Sequence, residues 1–240
     1  MAERKYGLTE FRGWLTGQFN WFVLLLVLAV EAVFVTLHVV TGALMPKIPH
    51  LLNISQDGSA SEWFGYAVMA ASAVIMFRAY RRERVALYLT FAVVLVTMVL
   101  DDSLTIHESL GRYFSEWDYL DRLPGPLAKD SGELVAWGAI ALFLAPWGIY
   151  GLVKTPPRQW PSIFILTGLV GLLGFFAVGI DFLHEPICAA FDHAGYCFQI
   201  FDLVEDGGEM LAQALILAHV FERFAATPDT DARAPVADAG

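Results

Sequence analysis

Acids and histidines gather where three apolar runs of this chain come to an end. Asp101, Asp102, His107 and Glu108 close one run, Asp181, His184 and Glu185 close another, and Glu31 and His38 punctuate a third. No Lys or Arg falls inside these clusters. A carboxylate in or beside hydrocarbon must carry a proton, accept hydrogen bonds or face a cation. A metal ion is therefore the first counter-charge to consider. Carboxylate and imidazole together suit Fe, Mn or Zn. The pair Asp181-x-x-His184 has the acid-x-x-His spacing with which helical bundles hold metals. The candidate ligands are Glu31, His38, Asp101, His107, Glu108, Asp181, His184, Glu185 and Glu209, with Asp102, Glu205 and Asp206 as candidate catalytic groups. An ion with an open position would activate water or a substrate oxygen, as a metal-dependent hydrolase or oxidoreductase does. The zinc motif HExxH does not occur.

Helical spacing says which of these groups can meet. Positions i, i+3, i+4 and i+7 share a face. Glu31 with His38, and Asp101 with Thr105 and Glu108, fit that rule, as do Asp181, His184 and Glu185. Asp202, Glu205, Asp206, Glu209 and Gln213 form one longer stripe if their segment is helical. Asp102 and His107 fall off the Asp101 face by roughly 100–120°.

The clusters recur. An acid and a His end each odd-numbered run on the same side, and a small residue followed by Glu begins each even-numbered one: Ser61-Glu62, Gly132-Glu133 and Gly208-Glu209. His38 to Glu62, His107 to Glu133 and His184 to Glu209 are 24, 26 and 25 residues apart. Three near-equal separations point to three helical hairpins. Ser59-x-x-Glu62, Asp130-x-x-Glu133 and Asp206-x-x-Glu209 also match a capping box, so these glutamates have a structural reading beside the functional one.

The elements that position these residues are membrane spans. Of 240 residues, 57% are hydrophobic and 17% charged, too few polar groups to clothe a soluble domain. Six apolar stretches run through 21–43, 63–77, 85–106, 134–153, 163–182 and 210–224. A span needs about 20 residues, so the second and sixth are short. The expected fold is an all-α integral membrane protein: six transmembrane helices in three hairpins over residues 21–224, an interfacial segment at 1–20 and a disordered Ala-, Pro- and Asp-rich tail at 225–240. One side of the spans carries 11 Lys and Arg, including Arg78, Arg81, Arg82 and Arg84, and the other carries 4. That bias puts both termini in the cytoplasm and turns the clusters outward, toward the periplasm of a cell inner membrane. The basic N-terminus with a long first run reads as a retained span rather than a cleaved signal.

Membrane lipid is the expected surrounding, and a lipid or lipid-linked molecule the expected substrate. The net charge of −10 excludes a nucleic-acid partner, since no basic stripe exists to meet phosphates. Two other functions use the same residues. Acid and His chains carry protons or cations in transporters, with Glu31 deep in the first run as the best witness. A hydrogen-bonded polar network could instead hold an accessory subunit together. Asp102-Ser103 with His107 is similar to the acid, Ser and His set of alkaline-ceramidase-like membrane hydrolases, but their late-span HxxxH element is missing here, so the chain is not assigned to them. Cys188 and Cys197 share the last outer connection and read equally as a bridge or as two thiols. The mixed aromatic and acidic stretch 113–123 reads as an interfacial anchor, and His219 as a packing residue.

Overall fold

A computed structural model gives the fold for residues 17–117, 125–188 and 194–225, and every regular element among them is helical. In chain order the helices are α1 (Trp21–Leu44), α2 (Ala60–Glu83), α3 (Ala86–Ser103), α4 (Ile106–Ser115), α5 (Gly125–Lys154), α6 (Trp160–Gly174), α7 (Asp181–Cys188) and α8 (Ala194–Val220). A π-helical turn, Phe175–Ile180, joins α6 to α7, and a second, Phe221–Ala225, comes after α8. The expected tail lies outside the described residues, as does most of the 113–123 stretch beyond α4.

Among the described residues, five helical segments are long and apolar enough to cross a membrane: Trp21–Leu44, Ala60–Glu83, Ala86–Ser103, Ser131–Lys154 and Pro157–His184. The expected sixth run is the second half of α8. That helix is long enough to cross but too polar to qualify by hydropathy, and its position explains why. It packs against α1, α2 and α6 at once. Its Ala212, Ala214 and Ala218 are fully buried, as small residues at close helix crossings are. The second half of α8 is thus largely covered by its neighbours, while Ile200, Leu203, Val204 and Leu211 remain exposed.

Local sequence starts and stops the helices. The Asn20 side chain accepts from the Val23 amide at 3.0 Å and caps α1. Ser59 accepts from the Glu62 amide at 3.3 Å and caps α2. Arg84, at φ 57°, ends α2 in the left-handed region and sends the chain straight back as α3. Asn20 also donates its backbone N–H to the Ala218 carbonyl and its side-chain amide to Glu222. The two ends of the described chain therefore meet at one end of the bundle.

At that same end the core is apolar and dense, with Met76, Tyr88, Leu95, Leu166 and Ile216 almost wholly buried. His219 is buried there too, with Nδ1 2.9 Å from the Gln18 carbonyl and Nε2 3.2 Å from the Ser162 carbonyl. It ties the segment before α1 to α6 and α8, a packing role. The opposite end of the bundle is polar and hollow.

Candidate metal centre

The expected Asp101–Thr105–Glu108 face does not form, because the helix breaks. α3 stops at Ser103, Thr105 takes a left-handed φ of 48°, and α4 restarts at Ile106. Thr105 offers no side-chain cap. Asp101, 1% exposed, does that work from the preceding helix. It accepts the His107 backbone N–H at 3.0 Å on one oxygen and pairs with His107 Nδ1 at 2.9 Å on the other. Trp137 stacks on the imidazole with centroids 5.2 Å apart. The ring is fixed, and Nε2 is left as its reactive nitrogen. Burial works against the charge on His107, but its hydrogen bond to Asp101 and the field of Asp101 and Glu133 outweigh that and raise its pKa.

The α8 stripe forms as its spacing dictates. Asp202, Glu205, Asp206, Glu209 and Gln213 all line one cavity of about 490 Å³. Across it stands α7, entered through the π turn. Such a turn adds a residue to the helical repeat and rephases the helix beyond it, a feature common at functional sites. It delivers Asp181 and His184 toward Glu205, and ligand atoms of these three lie within 4.8 Å of one another. His184 Nδ1 is 3.0 Å from the backbone carbonyl of Asp181 and 3.6 Å from its Oδ1, contacts that orient the ring.

The repeated small residue before Glu has a steric cause. Ser61, Gly132 and Gly208 are buried at helix crossings, and Glu62, Glu133 and Glu209 beside them all line the cavity. A Cβ on Gly132 would sit 2.2 Å from the Gly111 carbonyl oxygen of α4. One on Gly208 would sit 2.1 Å from the Phe176 ring of the π turn. Only glycine permits either approach. The capping-box reading holds for Glu62, which accepts from the Gly58 amide and from the Tyr66 hydroxyl. It fails for Glu133 and Glu209, because α5 and α8 begin well upstream, at Gly125 and Ala194.

The cavity is lopsided in charge. Its described lining has ten carboxyl groups, two histidines and one cationic side chain, Lys129, whose Nζ lies 3.2 Å from Glu133. Lys129 was not among the expected clusters. Burial, then repulsion by Asp181, Asp206 and Asp202, pushes the Glu205 carboxyl up to about 9. Burial likewise raises Asp206 to about 7, against a hydrogen bond from Ser55 that lowers it.

Of the sequence-derived candidates, Asp102, His107, Glu108, Asp181, His184, Glu205, Asp206 and Glu209 line the cavity. Asp101 lies behind His107. His38 stands off the lining and accepts from the Ile54 amide at 3.3 Å, holding the connection before α2. Glu31 is 5% exposed on α1 and is not part of the lining. The Glu185 side chain lies outside the described residues. Glu133, Tyr66 and Trp137 also line the cavity without having been singled out as site residues. A bridge joins Cys188 and Cys197, with Cα atoms 5.5 Å apart, and ties the end of α7 to the start of α8 beside the cavity.

The sequence profile of the family described as "Domain of unknown function (DUF8692)" matches residues 21–223, which takes in α1 to α8 and the described lining of the cavity. The chain belongs to that family. No curated protein and no solved structure matches it. For this member of DUF8692 the chemistry must be read from the cavity itself.

Proposed function

We propose that this protein is a six-span membrane protein whose outward-facing cavity holds a divalent metal on Asp181, His184 and Glu205, and that it acts as a metal-dependent hydrolase or oxidoreductase on the polar part of a lipid or lipid-linked substrate. The observation that carries the reading is the approach of those three ligand atoms within 4.8 Å, inside a cavity of ten carboxyls. Two carboxylates and one imidazole are a catalytic ligand set for Zn, Mn or Fe, and three protein ligands leave a position open for water or substrate. The bound ion supplies Lewis acidity or redox chemistry. His107, oriented by Asp101, accepts or returns a proton at Nε2, and Asp102 and Asp206 assist from the same lining. The charge bias of the connections supports an outward cavity, and the Cys188–Cys197 bridge fits an oxidising compartment. With the helices taken as spans, the polar end of the bundle would open near headgroup level, and this supports a lipid substrate.

The test is metal analysis of detergent-purified protein. One or more equivalents of Fe, Mn or Zn, lost in His184→Ala, support the proposal. Protein that takes up no metal, yet stays folded, overturns it.

A cation path is the second reading, favoured by one observation: Glu31 is a buried acid on α1, a helix whose other side chains are mostly exposed. Against it, the bundle below the cavity is filled by Met76, Leu95, Leu166 and Ile216, with no polar route to the other side among the described residues. Proton or cation flux in liposomes that Glu31→Gln abolishes would establish it.

A further inference from the structure

At the end of the bundle opposite the cavity, Tyr88 stands in the first turn of α3 and is 1% exposed. Its hydroxyl is shut off from solvent without a hydrogen-bond partner among the described residues. Its ring packs edge-on against Phe224, with centroids 4.9 Å apart. A buried hydroxyl left unpaired is an unmet requirement in a packed interior.

Cations gather around that hydroxyl from three separate elements. Arg82, at the end of α2, donates to the Phe224 carbonyl at 3.4 Å. Arg223, in the π turn after α8, donates from Nε to the Ser162 hydroxyl at 3.2 Å. Arg158 lies in a short 3-10 turn before α6, Pro157–Gln159, whose Gln159 donates to Glu83 at 3.3 Å. The charges of Arg158, Arg223 and Arg82 all act on the Tyr88 hydroxyl, and so does that of Glu83. Glu83 is already shared between Arg82, at 2.9 Å, and Gln159. Three guanidiniums against one carboxylate leave a positive surplus, in a chain whose net charge is −10. α3 begins at Ala86 without a side-chain cap, so the positive end of its dipole lies there as well.

The arrangement suits an anion with several oxygens. A phosphate group accepts from guanidinium forks and from a phenolic hydroxyl at the same time. Position decides its source. The cluster sits at the ends of helices long and apolar enough to be spans, and Arg84 lies over the Tyr80 ring at 5.8 Å beside it, an aromatic and cationic pairing typical of a membrane interface. Basic pockets between spans take the headgroups of acidic lipids.

We propose that Arg82, Arg158, Arg223 and Tyr88 bind the phosphate group of an anionic phospholipid. The Tyr88 hydroxyl donates to one phosphate oxygen and the guanidiniums to the others. The site is separate from the metal centre and does not depend on it.

Native mass spectrometry of the detergent-purified full chain, offered equal amounts of phosphatidylglycerol and phosphatidylcholine, tests it. Phosphatidylglycerol should be retained in preference to the zwitterionic lipid. Tyr88→Phe, which keeps the ring against Phe224, and Arg158→Gln, at an exposed position, should each weaken that retention about tenfold, the loss of one charge-assisted hydrogen bond. Arg81 lies two residues past the fully buried Ala79, on the opposite face of α2. Arg81→Gln removes the same charge from the same end and should change retention less than about twofold. Equal retention of the two lipids, full retention in Tyr88→Phe, or the same loss in Arg81→Gln as in Arg158→Gln overturns the proposal. Equilibrium dialysis against inorganic phosphate separates the two sources of the anion. Saturable phosphate binding that Tyr88→Phe removes, without any preference between the lipids, overturns the lipid assignment in favour of a soluble ligand.

Discussion

Replacing Glu205 by Gln should move stability in opposite directions with and without metal. In the metal-free protein the buried carboxyl holds its proton up to about pH 9. In the unfolded chain a Glu ionises near its ordinary value of about 4.3. Folding therefore takes up a proton anywhere between those two pH values, and stability falls as pH rises through that window. One pKa unit is about 1.4 kcal/mol, so the interval up to pH 7 corresponds to at most about 3–4 kcal/mol. The side chain keeps some contact with solvent in the cavity, and screening reduces this to about 1–2 kcal/mol. Gln removes the term, and the metal-free Glu205→Gln protein should melt higher by roughly 2–8 °C at pH 7, taking about 2–4 °C per kcal/mol for a chain of this size. Metal reverses the order. An ion at a hundredfold excess over its dissociation constant stabilises the unmodified protein by about 2.7 kcal/mol, and the variant, lacking one ligand, should gain little of it. The assay is thermal unfolding in detergent with chelator and with Mn²⁺ or Zn²⁺, repeated at pH 5.5, where the metal-free advantage should shrink. A metal-free variant less stable than the parent, or one stabilised by metal as much as the parent, would refute the reasoning.

Four further outcomes rest on particular contacts. Asp101→Asn removes the charged partner of His107, so the imidazole should titrate at lower pH and exchange its Nδ1 proton pattern, visible in nitrogen NMR of the ring; stability should fall by about 1.5–3 kcal/mol. Gly208→Ala drives a methyl into Phe176 and should destabilise by about 1–3 kcal/mol, with weaker metal binding because the π turn that presents Asp181 must shift; denaturant titration and dialysis check both. Reducing or replacing the bridge between Cys188 and Cys197, which are nine positions apart, should lower stability by about 2–3 kcal/mol in a chain-entropy estimate, read by thermal unfolding with and without reductant. Cysteines placed at Ser55 and at Arg84 should react with an impermeant thiol reagent from opposite sides of intact cells or inverted vesicles, Ser55 from outside; labelling of Arg84→Cys from outside would reverse the orientation.

Much of the cavity was readable because helical spacing is rigid. The stripe from Asp202 to Gln213 needed only a continuous α8, and all five members line the same space. The pair Asp181 and His184 was legible for the same reason. What spacing could not carry was helix continuity. Nothing like Gly or Pro marks Leu104–Thr105, yet the chain breaks there, and Asp101 changes from a candidate ligand to the group that holds His107. The π turn at Phe175–Ile180 leaves no compositional trace, although it sets the direction of α7. The capping pattern misled at Asp130 and Asp206 because it is local, whereas Gly125-Pro126 was the better start signal for α5. The sequence offered six apolar stretches, and five described helices are long and apolar enough to cross a membrane; α8 falls short because its acids face the cavity. Glu31 and His38 fit one helical face but stand away from the cavity, because a shared face says nothing about what packs against it.

The most direct test of a cation-dependent pocket is an experimental density map of the protein equilibrated with Mn²⁺ or Zn²⁺, read by anomalous scattering. The expected result is an anomalous peak at about 2.0–2.2 Å from Asp181, His184 and Glu205. A map with no peak, in which the cavity acids are bridged by water and by one another at full metal occupancy of the buffer, would contradict it.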